Sequence, residues 1–147
     1  MNFKRCCCVG LLLVVPWVSA QTLRWATAGD IQTLDPHAQN EGLTNSFNAH
    51  IYERLTARNP QLRLVPGLAQ SWQQLSATHW RFMLRQGVRF HDGSALTSED
   101  VVFSIERAKM PGSAIAQYAK ALGEVHPVGP NIVEKKKKKP NPVLLDQ

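Results

Sequence analysis

Cysteine is scarce and clustered. The 147-residue chain has three, all consecutive: Cys6, Cys7 and Cys8. Adjacent cysteines supply neither a spaced disulfide framework nor a cysteine-rich zinc module. Long apolar runs are missing too. Cys6 to Val15 is apolar but only ten residues long, too short to span a bilayer as a helix. The glycine patterns that cradle phosphates, G-x-x-x-x-G-K-[ST] and G-x-G-x-x-G, are absent. There is no G-x-S-x-G, hence no nucleophile elbow. His37, His50, His79, His91 and His126 are scattered and form no H-x-x-x-H pair. No catalytic constellation is left, so the expectation is a protein that is not an enzyme and carries no cofactor or metal.

The chain begins with an address. Lys4 and Arg5 precede the apolar stretch, Pro16 breaks it, and Val18-Ser19-Ala20 offers small residues. That order is the order of a secretory signal peptide rather than of a buried N-terminal helix. Cleavage is expected between Ala20 and Gln21. All three cysteines would leave with residues 1–20, and none stands where a lipid anchor would need it.

Net charge is +6, a value that raises the question of nucleic acid or an anionic surface. Two of those charges lie in the leader and five in the run Lys135 to Lys139, which leaves ten basic against eleven acidic residues. No aromatic residues interleave with the lysine run. A solvated, unstructured tract is expected there, and no nucleic-acid partner.

Between these ends, short elements alternate. Thr22 to Ala26 reads as a strand, and Gly29-Asp30 and Asp35-Pro36 as turns. Phe47, Ile51 and Leu55 recur at helical spacing, which predicts a helix over Asn45 to Leu55 with Asn45 as N-cap. Leu62 to Leu64 alternates as a short strand, stopped by Pro66-Gly67. Trp80, Phe82 and Leu84 share one face of the clearest strand, Trp80 to Arg85, and this makes Trp80 a core residue rather than part of an aromatic binding surface. Trp25 and Trp72 are less constrained. Gln86-Gly87 is a turn, Val88-Arg89-Phe90 a return strand, and His91-Asp92-Gly93 a polar turn rather than half a metal site. Thr97 then caps a helix whose first turn is acidic and whose stripe is Val101, Val102, Ile105 and Ala108. Pro111-Gly112 stops it. Ala114 to Leu122 suggests a further helix and Ile132-Val133 a last strand. The class is mixed α/β, with no internal repeat.

These segments together resemble the start of the family 5 extracellular solute-binding proteins of ABC importers. Thr33-Leu34-Asp35-Pro36 is similar to the family's S/T-L-D-P, and Ile51 to Leu55 to its Y-E-x-L segment. Leu64 to Trp72 resembles P-x-L-A-x-S-W, and Trp80 to Gly93 resembles W-x-F-x-L-R-x-G-V-x-F-x-D-G. Leu96 to Ser104 resembles L-T-A-E-D-V-V-F-S. The five matches stand in order along residues 33–104. The lysine run departs from the pattern. Lys135 and Lys137 stand where the family has the apolar positions of an alternating strand, and five like charges side by side disfavour a buried one.

The resemblance implies a two-lobed, type II-like periplasmic binding fold of which only the N-terminal part is present, since family members are several times longer. Residues 21–44 would supply the first strand and a ligand-side loop of lobe I. Residues 45–147, with the 135–139 tract, would form most of the small extra domain, and the second lobe would be absent. The implied role is capture of a peptide or related small solute in the periplasm for an inner-membrane ABC permease, by a monomer. Asn40, Glu41, Gly42 and Leu43 match the family's ligand-side segment by position, and Tyr118 lies where some relatives place an aromatic side chain over ligand. The rival readings are a remnant unable to bind and a basic nucleic-acid module.

Overall fold

The computed structural model describes residues 22, 24 and 26–137. The expected leader and its cleavage point lie outside these residues, as do Lys138 and Lys139. Thr22, Arg24 and Ala26 carry no strand, and the rest of that predicted strand is also outside the described residues.

The centre is a four-stranded antiparallel sheet in the order β3-β4-β6-β5, with β3 at Ala69–Ser76, β4 at His79–Leu84, β5 at Glu124–Pro127 and β6 at Ile132–Lys136. A small antiparallel pair, β1 (Thr56–Arg58) and β2 (Leu64–Pro66), precedes it. Three helices complete the described chain: α1 at Gly42–Asn48, α2 at Ser98–Ala108 and α3 at Ala116–Ala121. None is long and apolar enough to cross a membrane.

The period-two pattern of β4 holds for two of its three apolar residues, while Trp80, expected in the core, is only half-buried. Phe82 and Leu84 are buried, and Phe82 stands opposite Val133 of β6. The core joins Leu84, Val125 and Val133 of the sheet to Val101 of α2, with Leu55, Val102 and Ile105 packed around them. Helix α2 starts where its cap predicts. The Thr97 amide and hydroxyl both donate to the Asp100 carboxylate, each at 2.8 Å. Ser98 adds an anchor that the pattern did not announce, its buried hydroxyl donating to the Gly129 carbonyl at 2.6 Å.

Further expectations are corrected. The helix predicted over Asn45 to Leu55 is α1, which begins earlier and ends at Asn48. Its cap is Glu41, not Asn45. Ile51 lies past the helix and is exposed, and Leu55 reaches the core from a bend just before β1, so their spacing marks no helical face. Val88 to Phe90 forms no return strand. Both sides of β4 are taken by β3 and β6, and Arg89 makes only an isolated bridge to Ala95. Leu62 belongs to the turn between β1 and β2, with φ 59° and the side chain exposed. Finally, the lysine tract is not free of structure where it is described. Lys135 and Lys136 continue β6, which is paired on one side with Trp80 and His79 and on the other with Val125 and Glu124. Backbone pairing to two neighbours outweighs the like charges of the side chains. Strands β1, β3 and β5 were not anticipated.

Candidate functional site

The chain from Thr33 to Thr44 has little regular structure before α1, and side-chain bonds set its path. The Thr33 hydroxyl accepts from the Asp35 amide at 3.0 Å, and the Asp35 carboxylate accepts from the His37 amide at 2.9 Å. A turn over Pro36 closes with the Ala38 amide on the Asp35 carbonyl at 3.3 Å. Arg107 of α2 then grips this turn. Its guanidinium donates to both Asp35 oxygens, at 3.0 and 2.6 Å, and lies 2.8 Å from His37 Nδ1. The Arg107 bond, followed by the His37 amide, holds the Asp35 carboxyl well below the usual carboxylate range.

The other family-like segments interlock with this turn. The Tyr52 hydroxyl donates to the Leu34 carbonyl at 2.9 Å. Glu53 pairs with Arg85 at 3.0 Å, and Arg85 also donates to the Gly67 carbonyl at 3.1 Å. The amides of Leu68 and Ala69 donate to the carbonyls of Arg54 and Leu55. A Cβ on Gly67 would run into the Arg54 carbonyl, so only glycine permits this approach. Several of the motif residues are therefore cross-braces, and those at Leu34, Asp35 and Tyr52 hold the chain that leads into the 40–43 run.

That run is presented to solvent at Asn40, Glu41 and Gly42, while Leu43 is half-buried. Glu41 is occupied. Its two carboxylate oxygens accept from the amides of Leu43 and Thr44 at 2.7 and 2.9 Å, and these bonds lower its pKa. The Asn40 side chain accepts from Asn45 at 3.1 Å. The Glu41 carbonyl is taken as well, by the Asn45 amide at 2.9 Å, so the groups left to a ligand are mainly the peptide groups around Asn40 and the amides of Glu41 and Gly42. Tyr118 is exposed on α3, and no hydrogen bond joins it to the run.

Residues that the sequence reading missed stand close by. Arg107 lies in the last turn of α2, where a basic residue also suits the helix dipole, so its reach to Asp35 carries no sequence signal. Thr44 and Asn48 are buried one turn apart on α1, and the Asn48 side-chain amide has no hydrogen-bond partner among the described residues. A concavity of about 640 Å³ opens beside the end of α1, lined by Ala49, Ile51, Tyr52 and Leu64 among others. Among the described residues, no cluster of His, Cys, Asp and Glu could hold a metal. The His91-Asp92-Gly93 segment is a polar turn, with the Asp92 carboxylate accepting from the Ser94 amide and hydroxyl at 2.9 and 2.7 Å, and Gly93 at φ 87°.

Residues 63–146 match the family model described as bacterial extracellular solute-binding proteins, family 5 Middle. The chain is similar to the periplasmic oligopeptide-binding protein OppA of Escherichia coli (strain K12), 34% identical over 119 residues that cover 80% of this chain and 22% of OppA. It is also similar to the structure of NikZ from Campylobacter jejuni in complex with Ni(L-His), with a TM-score of 0.69 and 28% identity, covering 80% of this chain and 24% of that one. A stretch of 58 residues is 47% identical to the HTH-type transcriptional regulator SgrR of Escherichia coli O6:K15:H31, covering 39% of this chain and 10% of SgrR. The chain thus spans about a quarter of the length of its solute-binding relatives or less.

Proposed function

The chain belongs to the bacterial extracellular solute-binding proteins, family 5, and from this premise we propose that it serves capture of a small solute, most simply a peptide, in the periplasm. The solute would pass to an ABC permease of the inner membrane, and no reaction would be carried out on it. Residues 1–20 would direct export, with cleavage between Ala20 and Gln21. Residues 21–44 would form part of the solute-bearing lobe, and 45–147 most of the small extra domain.

The observation that carries this reading is the set of cross-braces around the exposed run Asn40 to Leu43. Arg107, Tyr52 and the turn at Asp35 hold the backbone leading into that run. The Leu43 amide and the Glu41 carbonyl are engaged within the protein, which leaves the run the peptide groups around Asn40 and the amides of Glu41 and Gly42 to offer. Peptide groups pair with an extended ligand backbone whatever its side chains, as in strand-like peptide recognition. Closure of two lobes around the ligand would complete capture, with Tyr118 as a further contact.

Titration calorimetry of the 147-residue chain with a mixture of short peptides tests the proposal, with Ni(L-His) as the comparison solute. Saturable binding of peptides supports it. Saturable binding of Ni(L-His) alone would move the substrate class away from peptides. No heat from either would refute solute capture by this chain. Binding to DNA that weakens steeply with salt would favour the basic-module alternative.

A further inference from the structure

Arg107 and Asp35 are 72 positions apart in the chain, yet the fork of one meets both oxygens of the other. We propose that Arg107 is a positioning residue for the solute-facing run and that neutral His37 is the acid-sensitive part of its grip. This rests on the reading of residues 40–43 given above.

The geometry separates the two roles. The bidentate bond to Asp35 needs a planar fork, which lysine lacks. The guanidinium has only N–H groups to offer, so the 2.8 Å contact to His37 Nδ1 requires a lone pair there. That is the neutral imidazole with its proton on Nε2. Protonation would replace the acceptor with a donor and set two cations side by side. Burial, and then the charge of Arg107, press the His37 pKa below its usual value, against the pull of Asp35. Asp35 stays ionised throughout this range, so the Asp35 bonds persist while the His37 contact fails.

The consequence runs along the chain. Only Ala38 and Gln39 separate His37 from Asn40. The described ties that hold the turn from outside are few: the Arg107 fork, the Tyr52 hydroxyl on Leu34, and the Ala114 amide on the His37 carbonyl at 2.9 Å. The charged and titratable groups around His37 are Asp35 on its own segment and Arg107 from α2, with Tyr52 coupled to Arg107. The loop before α3 contributes only backbone. Because the folded protein holds His37 neutral, acid works against the clamp. The grip is complete above the ordinary histidine pKa of about 6.5 and weakens as pH falls from there through the lower folded value.

Nuclear magnetic resonance of the 147-residue chain, without ligand, tests this directly. In the wild type, the His37 ring nitrogens should show the Nε2–H tautomer and titrate with a midpoint below about 6.5. Over the same pH range the Leu43 and Thr44 amides should lose protection relative to the amides of Leu84 and Val133. The variant Arg107→Lys should speed exchange at Leu43 and Thr44 roughly five- to tenfold at neutral pH and leave the sheet amides unchanged. A His37 midpoint at or above the ordinary value overturns the proposal. So does exchange that is unaltered in R107K, or that rises equally across the sheet. Calorimetry with tri-alanine across the same pH range is the second arm, and affinity should fall in acid with the His37 midpoint. A chain that binds no peptide at any pH refutes the solute reading, while the exchange data still decide the clamp.

Discussion

Lys135 lies directly across the ladder from Trp80, on the apolar side of the sheet, with its amine buried and without a hydrogen-bond partner among the described residues. Val133 two residues earlier occupies the same face and belongs to the core. An ammonium in that position loses its water and gains nothing in return. Burial, with a smaller contribution from Lys137, pulls the Lys135 pKa down to about 8. Replacing it with isoleucine should therefore raise stability by on the order of 2 kcal/mol in urea unfolding. A loss of stability in K135I would show that the aliphatic stem of the lysine packs better than a branched chain.

The same residue predicts a pH dependence with a definite sign. Between about 8 and the ordinary value of 10.5, the unfolded chain holds a proton on Lys135 that the folded chain releases. Stability should rise with pH across that window. K135I lacks the titrating amine, so the difference between the two proteins should shrink as pH increases. A constant gap between the two melting curves would contradict the assigned cause.

Gly67 offers a purely steric prediction. An added Cβ would meet the Arg54 carbonyl and come within 3.1 Å of the Leu55 carbonyl oxygen. Those carbonyls accept from Leu68 and Ala69, the bonds that tie β3 to the segment before β1. Neither neighbour is a flexible side chain able to swing away. Gly67→Ala should cost more than about 2 kcal/mol in denaturant unfolding, whereas Gly42→Ala, with open space around it, should unfold close to the wild type.

Legibility in the sequence followed the range of the interactions. The strand around Phe82 and the helix opened by Thr97 were readable because alternation and capping act over a few residues. The helix near Asn45 was misread. The spacing of Phe47, Ile51 and Leu55 mimics a helical face, but the deciding interaction is the Glu41 carboxylate on two amides ahead of it. Strand β5 was missed because only pairing with β6 defines it. The lysines of β6 were misjudged for a related reason, since local charge argued against a strand that two neighbouring strands enforce. At the candidate site, Asn40 to Leu43 came from the resemblance. Arg107 was invisible because nothing local distinguishes it from an ordinary basic residue at a helix end.

On the opposite face of the sheet, Glu134 predicts acid sensitivity. One of its oxygens accepts from Arg81 Nε and Nη2 at 2.8 and 2.6 Å, and the other lies 2.8 Å from His79 Nε2. The Arg81 bonds, assisted by His79, lower its pKa despite the burial that would raise it. A carboxylate with a lowered pKa stabilises the fold above its ordinary value of 4.5 and loses that contribution as pH falls through the folded value. Glu134→Gln should therefore unfold more easily at neutral pH and show a flatter stability profile below about 5. Parallel profiles for the two proteins in acid would place the sensitivity elsewhere.

Glu41 tests whether the start of α1 depends on its cap or on tertiary contacts. Seven residues are too few to hold a helix by propensity alone. The cap satisfies two amides that would otherwise lack partners inside the helix. Glu41→Ala removes the acceptor and should accelerate hydrogen exchange at Leu43 and Thr44. Serine is a favoured N-cap residue, so Glu41→Ser should restore much of the protection at Thr44 although it removes the charge. In the wild type, acid should reproduce the alanine phenotype as the carboxylate protonates below its ordinary value of 4.5. Buried Thr44 and Asn48 lie one turn apart on this helix, and if their packing alone fixes it, all three proteins will exchange alike. An equal acceleration in the alanine and serine variants would instead mean that only a carboxylate, reaching both amides at once, can start α1.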